Sequence, residues 1–141
     1  MFTIKETLAE ALIPLRGQVL RPGRPESAAR FAEDTAPGSV HFAALAADGT
    51  VIGCATVIEK DGSLQLRGMA TAPEWQGRGV GRAVLEAVQT HAITRGLPLW
   101  CNARVSAVGF YEKSGWHTEG AVFDVPGVGP HFIMRFSSGS C

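Results

Sequence analysis

The sequence predicts a mixed α/β (α+β) fold with a mostly antiparallel sheet and one parallel strand pair. Three strand-like runs separated by tight-turn residues predict an antiparallel meander, and a glycine-rich turn followed by helical periodicity predicts a crossover helix. The chain has 141 residues, of which 45% are hydrophobic and 18% charged, as is usual for one folded domain. We therefore expect a single domain over residues 1–136 and a flexible tail over residues 137–141.

The first predicted element is a helix near the N-terminus. Its apolar positions follow the spacing of one helix face: Leu8, Leu12, Leu15 and Val19. Pro14 is expected to kink or restart this helix, because proline cannot donate the backbone hydrogen bond of a helix interior. The Pro- and Gly-containing stretch at residues 21–25 ends it. The segment up to Ser39 is expected to be a loop with one short helix over residues 26–31.

Three β-rich runs follow and form the predicted meander: Val40–Ala46, Val51–Glu59 and Ser63–Thr71. Asp48-Gly49 lies between the first two runs, and Lys60-Asp61-Gly62 lies between the second and the third. Both are strong tight-turn signals, which predicts antiparallel neighbours. Pro73 ends the third strand.

A change of period marks the crossover after the meander. Glycines within residues 77–81 form a turn, and the apolar residues that follow share one helical face: Val80, Val84, Ala87, Val88 and His91. Gly96 is expected to end this helix, and Leu97–Asn102 is expected to be a short strand. A strand, helix and strand in this order place the two strands parallel, with a right-handed connection.

The last predicted elements are a short helix over Ser106–Ser114, closed by Gly115, and a closing pair of strands over Trp116–Phe123 and His131–Phe136. The loop that joins these two strands carries no motif that identifies a substrate. The same holds for the loop over residues 22–39.

The charge of the chain disfavours general nucleic-acid binding. Thirteen Lys and Arg balance thirteen Asp and Glu, so the positive field that attracts many phosphates is missing. A net charge of zero also removes repulsion between copies, which is compatible with a homodimer. The basic residues are ten arginines and three lysines, which indicates either recognition of planar anions by guanidinium groups or a bias in codon usage.

The cysteines and the N-terminus favour a cytoplasmic protein with neither a metal nor a membrane contact. Met1–Glu6 reaches two charges before any apolar run, and no stretch of about 18 apolar residues occurs. Cys54, Cys101 and Cys141 are odd in number and lack the spacing of metal ligands, so reduced thiols are expected. Cys54 and Cys101 lie in apolar strand-like runs and are expected to be core residues.

The glycine-rich turn at Gln76–Arg82 predicts an anion site. Glycines let the backbone approach a ligand closely, and the first turn of the following helix offers unpaired N–H groups to a phosphate. Two familiar nucleotide motifs do not match, because both require a residue other than Arg82 at that position. A dinucleotide site and an NTP site are therefore not supported.

The chain resembles the GNAT superfamily of acyl-coenzyme A dependent N-acetyltransferases in two motifs. Gln76, Gly79 and Gly81 match the signature Q/R-x-x-G-x-G/A, with a strand before it and a helix after it. Further along, Ala107–Trp116 is similar to the family pattern A-x-x-x-Y-x-k-x-G-aromatic. The resemblance covers about residues 1–136 and implies a GNAT-like fold, in which the parallel strands splay apart to hold coenzyme A.

The resemblance also implies which residues bind acetyl-coenzyme A. They belong to the strand before the turn, to the turn itself, and to the downstream strand and helix: Met69, Ala70, Thr71, Gln76, Gly77, Arg78, Gly79, Val80, Gly81, Arg82, Asn102 and Phe110. Relatives often carry Asn at the position of Arg104, and Asn102 is included because it is the nearest asparagine. A backbone N–H at Met69 or Ala70 would polarise the thioester carbonyl, and Tyr111 would protonate the leaving thiolate.

The general base is the place where the family pattern breaks. Many relatives carry a glutamate eleven positions before the motif glutamine, and here that position is Gln65, whose amide cannot take a proton. A lysine-like amine with a pKa of about 10.4 is almost wholly protonated at neutral pH, so a base is needed. Glu59, His41, His117 and His131 are the candidates, and His131 is favoured because it follows Pro130, as in similar closing segments.

The sequence therefore predicts an N-acetyltransferase that moves an acetyl group from acetyl-coenzyme A to a primary amine of a small molecule or peptide by direct attack. One alternative is a non-catalytic domain that binds or senses acyl-coenzyme A, which would dispense with Tyr111 and a base. Another is a structural subunit of a larger complex, which would not bind coenzyme A. Thioester turnover with a panel of amines separates these readings.

Overall fold

The computed structural model describes residues 1–137, so all but the first residue of the tail predicted over 137–141 lies outside the described residues. The strands of the described part form one seven-stranded sheet. They are β1 Phe2–Thr7, β2 Val40–Ala46, β3 Val51–Lys60, β4 Ser63–Thr71, β5 Leu99–Arg104, β6 Trp116–Val125 and β7 Gly129–Phe136. The α-helices are α1 Ile13–Leu20, α2 Val80–Arg95 and α3 Val108–Glu112. Short 3-10 helices cover Ala9–Leu12, Glu26–Ala29, Ala32–Thr35, Pro73–Trp75 and Val105–Ala107.

The sheet is antiparallel except for one pair of strands. Its strands lie in the order β1-β2-β3-β4-β5-β7-β6. Only β4 and β5 run parallel, and α2 connects them. The predicted mixed fold, with a mostly antiparallel sheet and a parallel pair joined by a crossover helix, is therefore confirmed.

Helices α1 and α2 cover opposite faces of the sheet. A Cβ atom at Gly53 of β3 would contact Val80 and Val84 of α2. Thr56, an odd number of residues further along β3, instead accepts a hydrogen bond from Arg16 of α1. Because side chains alternate across a strand, these contacts place the two helices on opposite sides. We call the two sides the α1 face and the α2 face.

Strand β1 is missing from the sequence-based prediction. Its half-buried residues Phe2 and Ile4 alternate with the exposed Thr3 and Lys5, and the exposed Glu6 follows. The strand lies at the edge of the sheet and pairs only with β2. A short edge strand of this kind carries too few apolar residues to stand out in the sequence, since pairing supplies much of its order.

The N-terminal helix is divided into two parts. A 3-10 helix over Ala9–Leu12 leads directly into α1. Pro14 lies in the first turn of α1, where its missing N–H costs no hydrogen bond, and the predicted restart at this proline is confirmed. Leu8 is 79% exposed and precedes both helices, so its prediction as a helix-face residue is wrong.

The elements after α2 differ in extent from the predicted ones, and the closing strands β6 and β7 are each two residues longer than predicted. Gly96 ends α2 in the left-handed region, as expected, and the N–H of Leu97 bonds back to the helix. The strand predicted from Leu97 to Asn102 therefore begins at Leu99 and continues to Arg104. The helix predicted over Ser106–Ser114 is a 3-10 turn followed by the short α3.

A bulge in β4 interrupts its pairing with β3 in the middle of the sheet. Thr56 of β3 pairs with Arg67, and Cys54 pairs with Ala70, so two residues of β4 oppose one residue of β3. The bulge begins at Gly68, whose φ is +62°. A classical consequence of such an insertion is a bend and an added twist in the bulged strand.

The loop over residues 22–39 is held against the α1 face by the buried guanidinium of Arg16. This group donates two hydrogen bonds of 2.8 Å to the carboxylate of Asp34, and it also bonds to the Ala29 carbonyl and Thr56. It lies 4.0 Å from the centre of the Phe31 ring. The buried ion pair of Arg16 with Asp34 therefore anchors the loop to the sheet, together with the partly exposed ion pair of Arg67 with Glu33.

The charge state of Asp34 follows from this contact. Burial by itself raises the pKa of the carboxyl group, but hydrogen bonds from Arg16 and from the Phe31 N–H outweigh it, so the pKa lies below its ordinary value. The carboxylate form thus stabilises the fold above the unfolded-state pKa of about 3.9. That contribution is lost as the pH falls through the folded-state pKa.

We expect Asp34→Asn to lower the free energy of unfolding by about 3–5 kcal/mol at pH 7, because it leaves the buried guanidinium unpaired. The matched control is Glu10→Gln, which breaks the exposed pair of Glu10 with Arg30 and should leave the free energy of unfolding almost unchanged, because water screens that pair. Urea unfolding at pH 7 and pH 3 measures both. The gap between wild type and Asp34→Asn should shrink at pH 3, and a gap that is equal at both values would contradict the assignment.

Candidate active site

The gap between β4 and β5 opens into a cleft of about 420 Å³. The two strands pair over Leu64–Leu66 and Leu99–Cys101 and no further. Several residues singled out in the sequence line the cleft: Gln65, Met69, Asn102, Tyr111 and His131. The structure therefore brings the predicted proton donor and the favoured base candidate into one cavity.

The cleft joins the two faces of the sheet. Leu66 pairs with Val57 and with Cys101, and these side chains lie on the α2 face. Their neighbours Gln65 and Asn102 therefore lie on the α1 face. His131 also lies on the α1 face, since it pairs with Arg104, two residues beyond Asn102.

Tyr111 enters the cleft from the α2 face. It is 8% exposed, and its ring packs 5.1 Å from Trp116, which donates a hydrogen bond to Gln89 of α2. Its hydroxyl points at the sulfur of Met69, 3.8 Å away. Burial, together with the neighbouring Cys101 thiol, raises the pKa of Tyr111 well above its ordinary value. The phenol is therefore fully protonated at neutral pH and can act as a proton donor.

Of the four base candidates, only His131 lines the cleft. Its Nδ1 lies 2.8 Å from the Gly129 carbonyl, which can only accept, so in the neutral ring Nδ1 carries the hydrogen and Nε2 carries the lone pair. Both ring nitrogens of His41 form hydrogen bonds, one with the Thr56 hydroxyl and one with the main-chain carbonyl of Asp34. His117 is exposed on β6 and does not line the cleft.

Glu59, the fourth candidate, is committed elsewhere. Its carboxylate pairs with Arg95 at 2.7 Å, and it does not line the cleft. The hydrogen bond from Arg95 lowers the pKa of Glu59, which makes it a weaker base. The geometry leaves His131 as the candidate base.

The glycine-rich turn presents an open backbone surface. Gly77 and Gly79 have φ values of +77° and +84°, and a Cβ atom at either position would meet nothing within 4 Å. Gly79 is the N-cap of α2, and no side chain of the described residues caps the helix start. The N–H groups of the first turn are therefore available to an anion.

Two arginines accompany this turn. Arg82 forms a long ion pair of 3.4 Å with Glu86, one helical turn away. Arg78 lies 4.9 Å over the ring of Trp75, which itself packs edge-on against Phe2. Trp75 lies just before the glycine turn and does not line the cleft between β4 and β5.

The end of β4, the start of α2 and α3 meet beside the turn. A Cβ atom at Gly81 would lie 3.4 Å from the Thr71 hydroxyl and 3.5 Å from the Phe110 ring, so these residues are in close contact. The side chain of Gln76 donates a hydrogen bond to the Thr71 carbonyl at 3.3 Å. Gln76 thus holds the turn to β4, and its side chain acts on the protein's own backbone.

The C-terminal half of β4 has no strand partner on the β5 side and carries the predicted coenzyme-binding residues Met69, Ala70 and Thr71. Beyond Leu66 the strand has no pairing with β5, so the backbone edge near Met69 faces the cleft. The side chains of Ala70 and Val80 are buried, at 6% and 1% exposure, so only their backbone groups can meet a ligand. An unpaired strand edge of this kind can accept an extended ligand as an added strand.

The cysteines of the described part do not supply a nucleophile. Cys54 and Cys101 are buried and free, which confirms their prediction as core residues. Burial raises the pKa of each thiol to about 12, so the reactive thiolate is nearly absent at neutral pH.

The described part of the chain contains neither a metal-binding cluster nor a membrane-spanning helix. Within residues 1–137, no group of three or more His, Cys, Asp or Glu side chains is arranged to hold a metal ion. No helix in the same part of the chain is long and apolar enough to cross a membrane.

Sequence reasoning missed several residues that line the cleft on the α1 face: Arg21, Phe31, Arg67, Arg104, Val125 and Val128. They come from α1, the loop over 22–39, β4, β5 and the β6–β7 hairpin, which are far apart in the chain. The only signal for them in the sequence is the excess of arginine over lysine.

Comparison with known proteins identifies this arrangement as that of an acyltransferase. The family model described as the acetyltransferase (GNAT) domain matches residues 24–137. The chain is 31% identical to the uncharacterized N-acetyltransferase YitI of Bacillus subtilis, over 95% of each chain. The protein belongs to the GNAT superfamily of N-acetyltransferases, and the predicted resemblance is confirmed.

Solved structures share the fold. Escherichia coli ElaA superimposes with a TM-score of 0.84 at 16% identity, covering 97% of this chain and 100% of ElaA. The ribosomal-protein-S18-alanine N-acetyltransferase of Escherichia coli gives a TM-score of 0.79 at 22% identity, with coverage of 96% and 93%. The family match and the relative YitI make the protein an acyltransferase, and enzymes of this family generally take an acyl-coenzyme A donor and an acceptor.

Proposed function

We propose that this enzyme transfers an acetyl group from acetyl-coenzyme A to a primary amine by direct attack. One observation carries the proposal: Tyr111 and His131 meet in one cleft from opposite faces of the sheet, beside an unpaired edge of β4. A proton donor and a proton acceptor on two sides of a gap suit a reaction in which one partner loses a proton and the other gains one.

The chain's own features fit the coenzyme. The open N–H groups and positive end of α2 suit the pyrophosphate, and Arg78 and Arg82 add positive charge beside it. The backbone edge of Met69–Thr71 on the β5 side has no strand partner and suits the extended pantetheine arm, which carries amides. The Phe110 ring lies against Gly81 and borders the coenzyme site next to the glycine turn. When bound, acetyl-coenzyme A supplies an electrophilic thioester carbon and a thiol leaving group.

Tyr111 is assigned the role of general acid. Its ring is held by packing against aromatic rings on the α2 face, and its phenol is protonated at neutral pH, so it can donate a proton to the thiolate that leaves the thioester. A backbone N–H near Met69 is assigned the polarisation of the carbonyl. This contribution needs no particular side chain.

His131 is assigned the role of general base on the α1 face. The Gly129 carbonyl fixes the tautomer in which Nε2 can accept a proton. The incoming amine must lose a proton, either before it attacks the thioester or after the new bond forms, and Gln65 cannot accept that proton. The buried, protonated thiols of Cys54 and Cys101 leave no reactive cysteine in the described residues, which supports direct attack rather than an acyl-cysteine intermediate.

A non-catalytic protein that binds acyl-coenzyme A would use the same turn and the same strand edge. It would have no use for a fixed histidine tautomer or for a buried phenol in the gap. Release of thiol with a panel of amines decides between the two functions.

The first test concerns the glycine turn. Gly79→Asp and Gly79→Asn have equal bulk, and both residues tolerate the left-handed region, so they differ mainly in charge. We expect Gly79→Asp to bind coenzyme A about tenfold or more weakly than Gly79→Asn, since a carboxylate repels phosphate. Calorimetry measures both dissociation constants, and equal values would contradict binding of the pyrophosphate at this turn.

The second test concerns the general acid. Tyr111→Phe keeps the ring that packs on Trp116 and Phe110 and removes only the hydroxyl. We expect kcat to fall about 10²–10⁴-fold, while the dissociation constant for acetyl-coenzyme A stays within a few-fold. An unchanged kcat would return Tyr111 to a packing role.

The third test concerns the base. His131→Gln should lower kcat/KM about 10²-fold or more at pH 7, and the defect should shrink toward pH 10, where free amine is abundant. The control is His117→Gln, which changes an exposed histidine outside the cleft. If the defect of His131→Gln has the same size at every pH, the proton leaves by another route.

A further inference from the structure

The arginines of this protein divide into two groups. Six of the ten form ion pairs with carboxylates at 2.7–3.4 Å: Arg16, Arg30, Arg67, Arg82, Arg95 and Arg135. The other four, Arg21, Arg24, Arg78 and Arg104, have no carboxylate partner among the described residues. Arg78 stands at the glycine turn, where the proposed function already provides phosphates.

The other three unpaired arginines surround one place. Arg21, Arg24 and Arg104 line a second cleft of about 490 Å³. Leu20, Arg21, Arg104 and two valines of the β6–β7 hairpin line both this cleft and the candidate active site, so the two cavities adjoin. The second cleft is therefore an extension of the active site on the α1 face, where His131 lies.

The walls of both clefts lack acidic residues among the described residues. The carboxylate of Glu33 is occupied by Arg67 at 3.0 Å. Asp124 pairs with Pro130, one register position from the pair of Phe123 and His131, so its side chain points to the opposite face. In a chain of zero net charge, this region holds an uncompensated positive charge.

The three arginines come from two distant parts of the chain, differ in exposure and line the same cleft. Arg21 follows the C-terminus of α1 and is half-buried, with one hydrogen bond from its guanidinium to the Leu20 carbonyl at 2.9 Å. Arg24 lies in the next turn, and Arg104 ends β5. Guanidinium groups match carboxylate and phosphate oxygens in planar, two-pronged contacts.

We propose that the acceptor is an amine that also carries an oxyanion, a carboxylate or a phosphate, which Arg21, Arg24 and Arg104 bind while the amine reaches His131. This inference rests on the proposed function and specifies its substrate class. It explains why three arginines remain unpaired beside a catalytic gap while most others are neutralised. The apolar side chains of Leu20, Val125 and Val128 suit the short carbon chain between the amine and the oxyanion.

The experiment compares acceptors that differ only in the oxyanion. The matched pairs are glycine with glycinamide, 4-aminobutanoate with 4-aminobutanamide, and phosphoethanolamine with ethanolamine. Thiol release at saturating acetyl-coenzyme A gives kcat/KM, expressed per concentration of free amine so that differences in the protonated fraction cancel, and the 4-aminobutanoate pair, whose amine lies far from the carboxylate, limits differences in nucleophilicity. We expect the oxyanion member of at least one pair to be preferred about 10- to 100-fold, with the carboxylate and phosphate pairs identifying the oxyanion.

Arginine variants test whether the clefts cause the preference. Arg104→Gln and Arg21→Gln should each reduce the ratio of kcat/KM within the preferred pair about tenfold, through KM for the acceptor and not for acetyl-coenzyme A. Arg30→Gln is the control, since Arg30 is an exposed arginine paired with Glu10 away from both clefts. Higher salt should lower the preference of the wild type, because the cleft is open to solvent.

Turnover separates this inference from the proposed function. If no amine releases thiol, the proposed function fails. The inference is then decided by calorimetry of 4-acetamidobutanoate and 4-acetamidobutanamide in the presence of coenzyme A, where preference for the carboxylate and its loss in Arg104→Gln support it. If amines turn over but no pair shows a preference, or the preference survives in Arg104→Gln and Arg21→Gln, the oxyanion site is refuted and the enzymatic activity stands.

Discussion

The bulge at Gly68 is the constraint on which the candidate site depends. Pairing between β4 and β5 ends at Leu66, just before the inserted residue bends β4. A side chain at position 68 has no room, because its Cβ would lie 2.7 Å from the Phe31 ring and 3.2 Å from Arg16 Nε. The same Arg16 ties the loop over 22–39 to the sheet through Asp34. The gap in the sheet and the loop that flanks it are therefore stabilised by one set of contacts.

The alternation of side chains along β4 and β5 assigns each face its chemistry. The α2 face carries the buried, apolar environment in which Tyr111 keeps its proton. The α1 face carries the polar residues Gln65, Asn102 and Arg104, together with His131 from β7. Because the gap joins the faces, a thioester and an amine can approach from different sides without competing for the same volume. This separation follows from strand geometry and would hold for any acceptor.

The sequence predicted the parts of the fold whose signals are local. Tight turns at Asp48-Gly49 and Lys60-Asp61-Gly62 locate the meander, and the change of period after Gly77 locates the crossover. Strand β1 could not be predicted from the sequence, because this edge strand gains its order by pairing with β2 rather than from its own apolar residues. The cleft arginines were also beyond reach, because Arg21 and Arg104 meet only through the topology of α1 and β5. The choice of His131 among four bases required the tertiary structure, which engages the alternatives elsewhere.

The absence of a glutamate at position 65 is consistent with an acceptor that carries negative charge. Gln65 lies on the α1 face of the cleft, two residues before Arg67 and on the same side, and it lines the same cavity as Arg104. A glutamate here would stand among guanidinium groups, which would lower its pKa and weaken it as a base. It would also neutralise part of the charge that attracts an oxyanion. A neutral amide avoids both effects, and proton transfer can then fall to His131, which has no negative charge to offer the arginines. The departure from the family pattern at Gln65 and the unpaired arginines thus have one physical explanation.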